Sequence, residues 1–182
     1  MKFDYRVLVF CRGVKMQKVT QFYKVSFEQF QEGWQDAFGQ SVSVEVYDAV
    51  NLPRRATVGS AGYDFYSPLT FSLAPGETIK IPTGIRVEIS EGWVLMLYPR
   101  SGLGFKYRLQ LNNTVGIIDS DYFYSDNEGH IFIKITNDSN EGKTVTVEAG
   151  QGIAQGLFMP FGITVDDEVS AMRNGGFGST TR

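Results

Sequence analysis

An all-β fold is expected from three features of this 182-residue chain: many strand-forming aromatics, short apolar runs, and turn signals packed closely between the runs. With 14 Phe, 9 Tyr and 20 Gly among 42% hydrophobic residues, the composition suits strands joined by tight turns and is too apolar for a disordered chain. A length of 182 residues fits a single core. Turn signals at Ala74-Pro75-Gly76-Glu77, Pro82-Thr83-Gly84 and Ser90-Glu91-Gly92 separate expected strands over 69–73, 79–81, 85–89 and 93–97. Further strands are expected over 109–111, 131–136, 144–147 and 153–159, the regular spacing of a sandwich or barrel.

The front of the chain differs. A β-like stretch covers 3–10, and then Phe27, Phe30, Trp34 and Phe38 recur at helical spacing, which predicts a short amphipathic helix packed on the body. Ser26 and Gln29 have the form of a capping box at its start, and Gly39 is a stop signal. From Ser41 the pattern turns to period two, with Val42, Val44 and Val46 on one side, so a half-buried strand is expected there. The expected division is an N-terminal extension over 1–40, a β domain over 41–172 and a flexible C-terminal arm over 173–182, the last too polar and glycine-rich to hold itself in place.

The formal charge of −3 comes from 17 basic and 20 acidic residues that are well mixed, which argues against direct nucleic-acid binding. The single cysteine, Cys11, cannot form an internal disulfide and reads as a packing residue. No secretory signal pattern is present, and no apolar run approaches the ~20 residues that span a bilayer. The expected setting is soluble, reducing and cytoplasmic, with no membrane partner.

Four stretches carry chemistry. Pro99-Arg100-Ser101-Gly102 follows an apolar run and combines a cation, a hydroxyl and a glycine, a phosphate-binding corner. Gly116 to Tyr122 places Asp119 and Asp121 at a strand end beside an aromatic ring, where a carboxylate can act as base toward water and a ring can stack on sugar or base. Gly150 to Gln155 brings a neutral amide into a late strand. Arg173 to Thr180 supplies a planar cation, Phe177, Gly178 and two hydroxyls on a glycine-rich tail that can close as a lid. Phosphate loops of the Gly-x-x-x-x-Gly-Lys-Ser/Thr type, dinucleotide loops, Cys-x-x-Cys and His-Glu-x-x-His are all absent from the sequence. His130, the only histidine, excludes a multi-histidine metal site and reads as a hairpin residue.

In this order, with Ala61-Gly62-Tyr63-Asp64-Phe65 ahead of them, these stretches resemble the five motifs of the trimeric dUTPase family over roughly residues 44–180. The resemblance implies a jelly-roll-like fold, a homotrimer whose three subunits build each site together, and hydrolysis of dUTP to dUMP and pyrophosphate. It implies Asp119 as the general base for water attack on the α-phosphorus, Tyr122 stacked on the deoxyribose, and Asn113 reading the uracil edge. Backbone groups of the hairpin near Ile131 and Phe132 help Asn113 there, and Ile117 and Ile118 are further implied substrate-binding positions. Arg100, Ser101, Gly102 and Gln155 match phosphate-binding positions, while Arg173, Gly178, Ser179 and Thr180 reach the terminal phosphates and Phe177 covers the uracil. Mg²⁺ is the implied cofactor, carried by substrate phosphates and waters with support from Asp64 and Gln155 rather than by direct protein ligands.

The chain departs from the family in four places. An insert over 123–130 lengthens the hairpin, as in dUTPases of phages and Gram-positive bacteria, and makes a regulatory protein partner a further expectation. Gly152 stands where many members carry arginine, Arg173 lies one residue closer to Gly175 than usual, and the front forty or so residues are additional. The fold is shared with dCTP deaminases, whose chemistry needs a glutamate base, whereas Asp119 within Ile-Asp-Ser-Asp-Tyr favours water attack on phosphorus.

Overall fold

From Phe71 onward apolar alternation forms strands. In β4 (Phe71–Leu73) Phe71 and Leu73 are buried around exposed Ser72, and in β6 (Ile85–Ile89) Ile85, Val87 and Ile89 face inward. These belong to a computed structural model that describes residues 17–170. The remaining strands are β1 (Thr20–Lys24), β2 (Arg54–Arg55), β3 (Tyr63–Tyr66), β5 (Thr78–Pro82), β7 (Trp93–Pro99), β8 (Leu109–Leu111), β9 (Gly116–Ile118), β10 (Phe132–Asn137), β11 (Val145–Val147) and β12 (Gly152–Pro160). They pair into a sheet of order β2-β3-β12-β7-β9, a second of order β5-β10-β8, and the pairs β1-β6 and β11-β4. Every pairing is antiparallel, and the fold is mostly β with few helices. No helix among the described residues is long and apolar enough to cross a membrane.

The aromatic spacing of the front segment produces α1 (Phe27–Phe38), with Phe30 and Trp34 buried in the same core as Phe65, Ile81, Leu95 and Ile133. Gly39 ends it in the left-handed conformation at φ 69°, donating its N–H to the Gln35 carbonyl. The start is only half the expected capping box. Ser26 Oγ accepts the Gln29 N–H at 3.1 Å, but the Ser26 N–H donates to Glu128 of the insert at 2.8 Å, and Ser26 Oγ donates to the same carboxylate at 2.6 Å. A long-range partner thus takes the reciprocal role that Gln29 was expected to fill. The β-like stretch over 3–10 and Cys11 lie outside the described residues.

The strand expected from Val42 to Val46 does not form. Residues Val44–Asp48 make a short helix, α2, with Val42 buried and Val44 47% exposed, so the valine alternation does not mark a core-facing edge. The helical turn brings Tyr47 onto α1. Its ring lies 5.6 Å from Phe27 and 5.7 Å from Phe30, and its hydroxyl donates to the Val25 carbonyl at 2.7 Å. Tertiary packing of one aromatic outweighs the local period. A further helix, α3 (Ser101–Tyr107), occupies the stretch read as a corner.

His130 is fully buried where the insert re-enters the sheet. Its Nε2 accepts the Gly84 N–H at 2.9 Å, which fixes the ring as the neutral Nδ1–H form; Nδ1 faces the α1 backbone near Gln29 without a hydrogen-bond partner. Burial pushes the imidazole down to about 4, with Lys80 acting in the same direction and Glu128 and the Gln29 backbone opposing. A base whose folded-state value is depressed contributes stability that is whole above its unfolded value and is lost as pH falls toward the folded one. Chemical unfolding at fixed protein concentration is therefore expected to weaken by roughly 2 kcal/mol from about pH 7.5 to about pH 5 on this account. His130→Gln, which accepts the same N–H without titrating, should flatten that slope.

Candidate active site

The turn from β8 into β9 is tight. Thr114 adopts a left-handed φ of 66°, its N–H bonded to the Leu111 carbonyl at 2.9 Å, and Asn113 stands exposed beside it. At Gly116 a Cβ would lie 3.1 Å from Leu97 Cβ, so glycine permits the close approach of β9 to β7. Beyond β9, Asp119 opens a 3₁₀ turn over Ser120–Tyr124 in extended conformation, its carbonyl accepting the Tyr122 N–H at 3.2 Å. These elements and β10 enclose a cleft of about 610 Å³ lined by Asn113, Ile117, Ile118, Tyr122, Ile131 and Phe132, within the usual size range of small-molecule sites.

Two of the lining residues are fixed by hydrogen bonds, Tyr122 through its side chain and Ile131 through its backbone. The Tyr122 hydroxyl donates to the His130 carbonyl at 2.7 Å and accepts Asn127 Nδ2 at 2.8 Å, so the insert itself orients the ring. Ile131 has its N–H bonded to the Ile85 carbonyl, and its own carbonyl accepts both the N–H and the hydroxyl of Thr83. Both backbone groups of Ile131 are thus already paired within the chain. Asp119 is half-buried between the lining residues Ile118 and Tyr122 and is not itself part of the lining.

A second polar group forms on the five-stranded sheet, where register sets Gln155 beside Asp64 on β3 and beside Tyr98 on β7. Arg100, capping α3, pairs with Asp64 at 3.1 Å and donates to the Gly152 carbonyl at 3.3 Å. Gln155 Nε2 donates to the Pro99 carbonyl at 3.3 Å, while its Oε1 points to Gly62, 3.0 Å from where a Cβ would stand. Ser101 and Gly102 are exposed in the first turn of α3. None of these residues lines the cleft, so within one chain the structure gathers the expected site residues into two separate groups.

The profile of the dUTPase family matches residues 48–181. The chain belongs to the dUTPase family. Deoxyuridine 5'-triphosphate nucleotidohydrolase of Lactococcus lactis is 46% identical over 134 residues, covering 72% of this chain and 88% of that protein. The corresponding Hahella chejuensis protein is 42% identical over 154 residues, covering 78% and 97%. Among solved structures, dUTPase from Streptococcus mutans superposes with a TM-score of 0.59 at 33% identity, covering 80% of this chain and 98% of that one. The dUTPase from phage phi11 of S. aureus, described with a species-specific insert, matches in fold with a TM-score of 0.59 at 23% identity, covering 85% and 98%.

Within this dUTPase-family frame the first group contains the expected nucleoside residues and the second the expected phosphate residues. Arg173, Phe177, Gly178, Ser179 and Thr180 lie outside the described residues. Lys80, Asn112 and Lys134 also line the cleft and escaped the sequence reading. Each lysine sits on a period-two strand as an outward residue, and only the β10–β5 register places Lys134 opposite Lys80. Among the described residues no cluster of three or more His, Cys, Asp or Glu could hold a metal ion by itself.

Gly152 explains one departure from the family pattern. A Cβ there would lie 2.6 Å from Arg100 Nη1, so the guanidinium occupies the space that a side chain at 152 would fill. Gly152→Ala should displace this flexible cation and loosen its contact with Asp64. The expected result is a stability change under ~1 kcal/mol, because the pair is partly exposed, with a several-fold loss of kcat/KM. Thermal unfolding and steady-state kinetics check both.

Proposed function

We propose that the chain hydrolyses dUTP to dUMP and pyrophosphate by water attack on the α-phosphorus, with Asp119 as the general base. The coarse activity, dUTP nucleotidohydrolysis, follows from family membership; the proposal adds the roles of individual residues. The observation that carries it is the cleft itself, where Asn113, Tyr122 and Phe132 surround a space of small-molecule size, with Asp119 in the chain between the lining residues Ile118 and Tyr122. Asn113 supplies an amide for the uracil edge, and the fixed Tyr122 ring supplies a flat face for the deoxyribose. Such chemistry depends on positioning and charge neutralisation more than on covalent help.

Arg100, Ser101, Gly102 and Gln155 bind phosphate in this reading, and they do so for the cleft of a neighbouring subunit, because in one chain they stand apart from it. A homotrimer, as the family resemblance implies, would supply that neighbour, with the arm over 173–182 closing each site through Arg173, Phe177, Ser179 and Thr180. Asp64 and Gln155, register partners on β3 and β12, would supply carboxylate and amide oxygens to the waters of a hydrated Mg²⁺, with Arg100 sharing the Asp64 carboxylate. The ion would neutralise phosphate charge when bound. A structural Mg(II) ion is described for the phage phi11 protein. The chain works in the cytoplasm in this reading, limiting uracil incorporation into DNA and supplying dUMP for dTMP synthesis. A regulatory protein that docks on the insert would meet Tyr124, its exposed aromatic.

Asp119→Asn should keep the fold and nucleotide binding while lowering kcat by at least ~10²-fold, read by pyrophosphate release; near-normal turnover would remove Asp119 as the base. The composite site has its own test. Asp119→Asn and Arg100→Ala homotrimers, each nearly inactive, should regain activity when their subunits are mixed and reassembled, because some sites then combine an intact base with an intact arginine. No recovery would place both residues in one subunit's site.

A further inference from the structure

We propose that helix α1 is a positioning element for the nucleoside cleft, acting at Gly33 through the rings of His130 and Phe132. The inference rests on the reading that this cleft receives the uracil nucleotide. Gly33 is buried in the middle of α1, where glycine costs roughly 1 kcal/mol relative to alanine, so its presence needs a reason. The reason is proximity. A Cβ at Gly33 would lie 2.8 Å from His130 Cε1 and 2.8 Å from Phe132 Cζ, closer than any real Cβ contact.

Those rings connect the helix to the site. His130 and Phe132 pack with centroids 4.4 Å apart, His130 fully buried behind and Phe132 facing the cleft. Two further links fix the position of α1 relative to that wall. At its start Ser26 is bound by Glu128 of the insert, whose Asn127 also holds the Tyr122 hydroxyl. One turn beyond Gly33, Asp36 pairs with Lys80, a cleft residue whose ammonium lies 4.7 Å from the centroid of the Phe132 ring. The helix precedes residues 48–181, the span that carries the family match, so that match assigns it no part in the site. A displacement of α1 by a few tenths of an ångström moves Phe132, because close-packed rings transmit such shifts rather than absorb them.

A double-mutant cycle on the full-length enzyme tests this, with wild type hydrolysing dUTP as the reference. Gly33→Ala should raise KM for dUTP by about 5- to 10-fold with kcat within about 2-fold, and about half of that penalty should be relieved when Phe132 is already Leu, the His130 contact remaining. Gln31→Ala, on the exposed face of the same helix, should leave KM unchanged. If Gly33→Ala does not fold but Gly33→Ala/Phe132→Leu does, the clash with the ring is demonstrated directly. An unchanged KM, an equal penalty in both backgrounds, or failure of both variants to fold would assign Gly33 to the core alone and overturn the inference. Wild type that fails to cleave dUTP would instead overturn the functional reading on which it rests.

Discussion

The hydrogen bond from the Gly84 N–H to His130 Nε2 joins parts of the molecule that are far apart in sequence. It ties the turn between β5 and β6 to the end of the insert and fixes which nitrogen of the imidazole carries the proton. The orientation of the ring then sets its neighbours: Phe30 of α1 on one side at 6.3 Å, and Phe132 of the cleft wall at 4.4 Å. The backbone carbonyl of the same residue receives the Tyr122 hydroxyl. A buried polar side chain with a satisfied acceptor thus specifies the arrangement of several elements at once, where an apolar residue of similar volume would only fill space.

Strand β12 has a comparable part in the second polar group. As the longest strand it pairs along both edges, with β3 and with β7, and its register alone brings Gln155 beside Asp64 and Ala154 beside Pro99. The register shift between Gly152 and Ala154 occurs where the Arg100 side chain crosses the strand. The bulge and the glycine open that crossing together, since a regular strand with a side chain at 152 would exclude the guanidinium.

Much of this was legible in the sequence, and the unread parts share a cause. Apart from β9, which was not expected as a strand, the strands from 69 onward and the helix over Phe27–Phe38 follow from local periodicity, because each buries one face of a regular element. The order of the motif-bearing stretches singled out Asn113, Tyr122 and Phe132, which the fold brings to one cleft. What sequence reasoning missed depends on contacts between distant segments. Val44 to Asp48 turns helical to deliver Tyr47 to α1, Glu128 replaces Gln29 at the helix cap, and Lys80 meets Lys134 only through strand register. The separation of the cleft residues from the group around Arg100, Asp64 and Gln155 was likewise invisible, since motif order carries no distances.

Glu128 and Gly129 both adopt positive φ, 56° and 68°, and a Cβ at Gly129 would lie 2.7 Å from the Tyr122 carbonyl oxygen. The eight-residue insert therefore ends in a reversal shaped to its own protein, and its carboxylate reaches back to Ser26 of the extension. Loop and extension are mutually fitted pieces. Grafting the insert alone onto a shorter relative would leave the half-buried Glu128 without Ser26, and grafting the extension alone would leave the Ser26 N–H without its carboxylate.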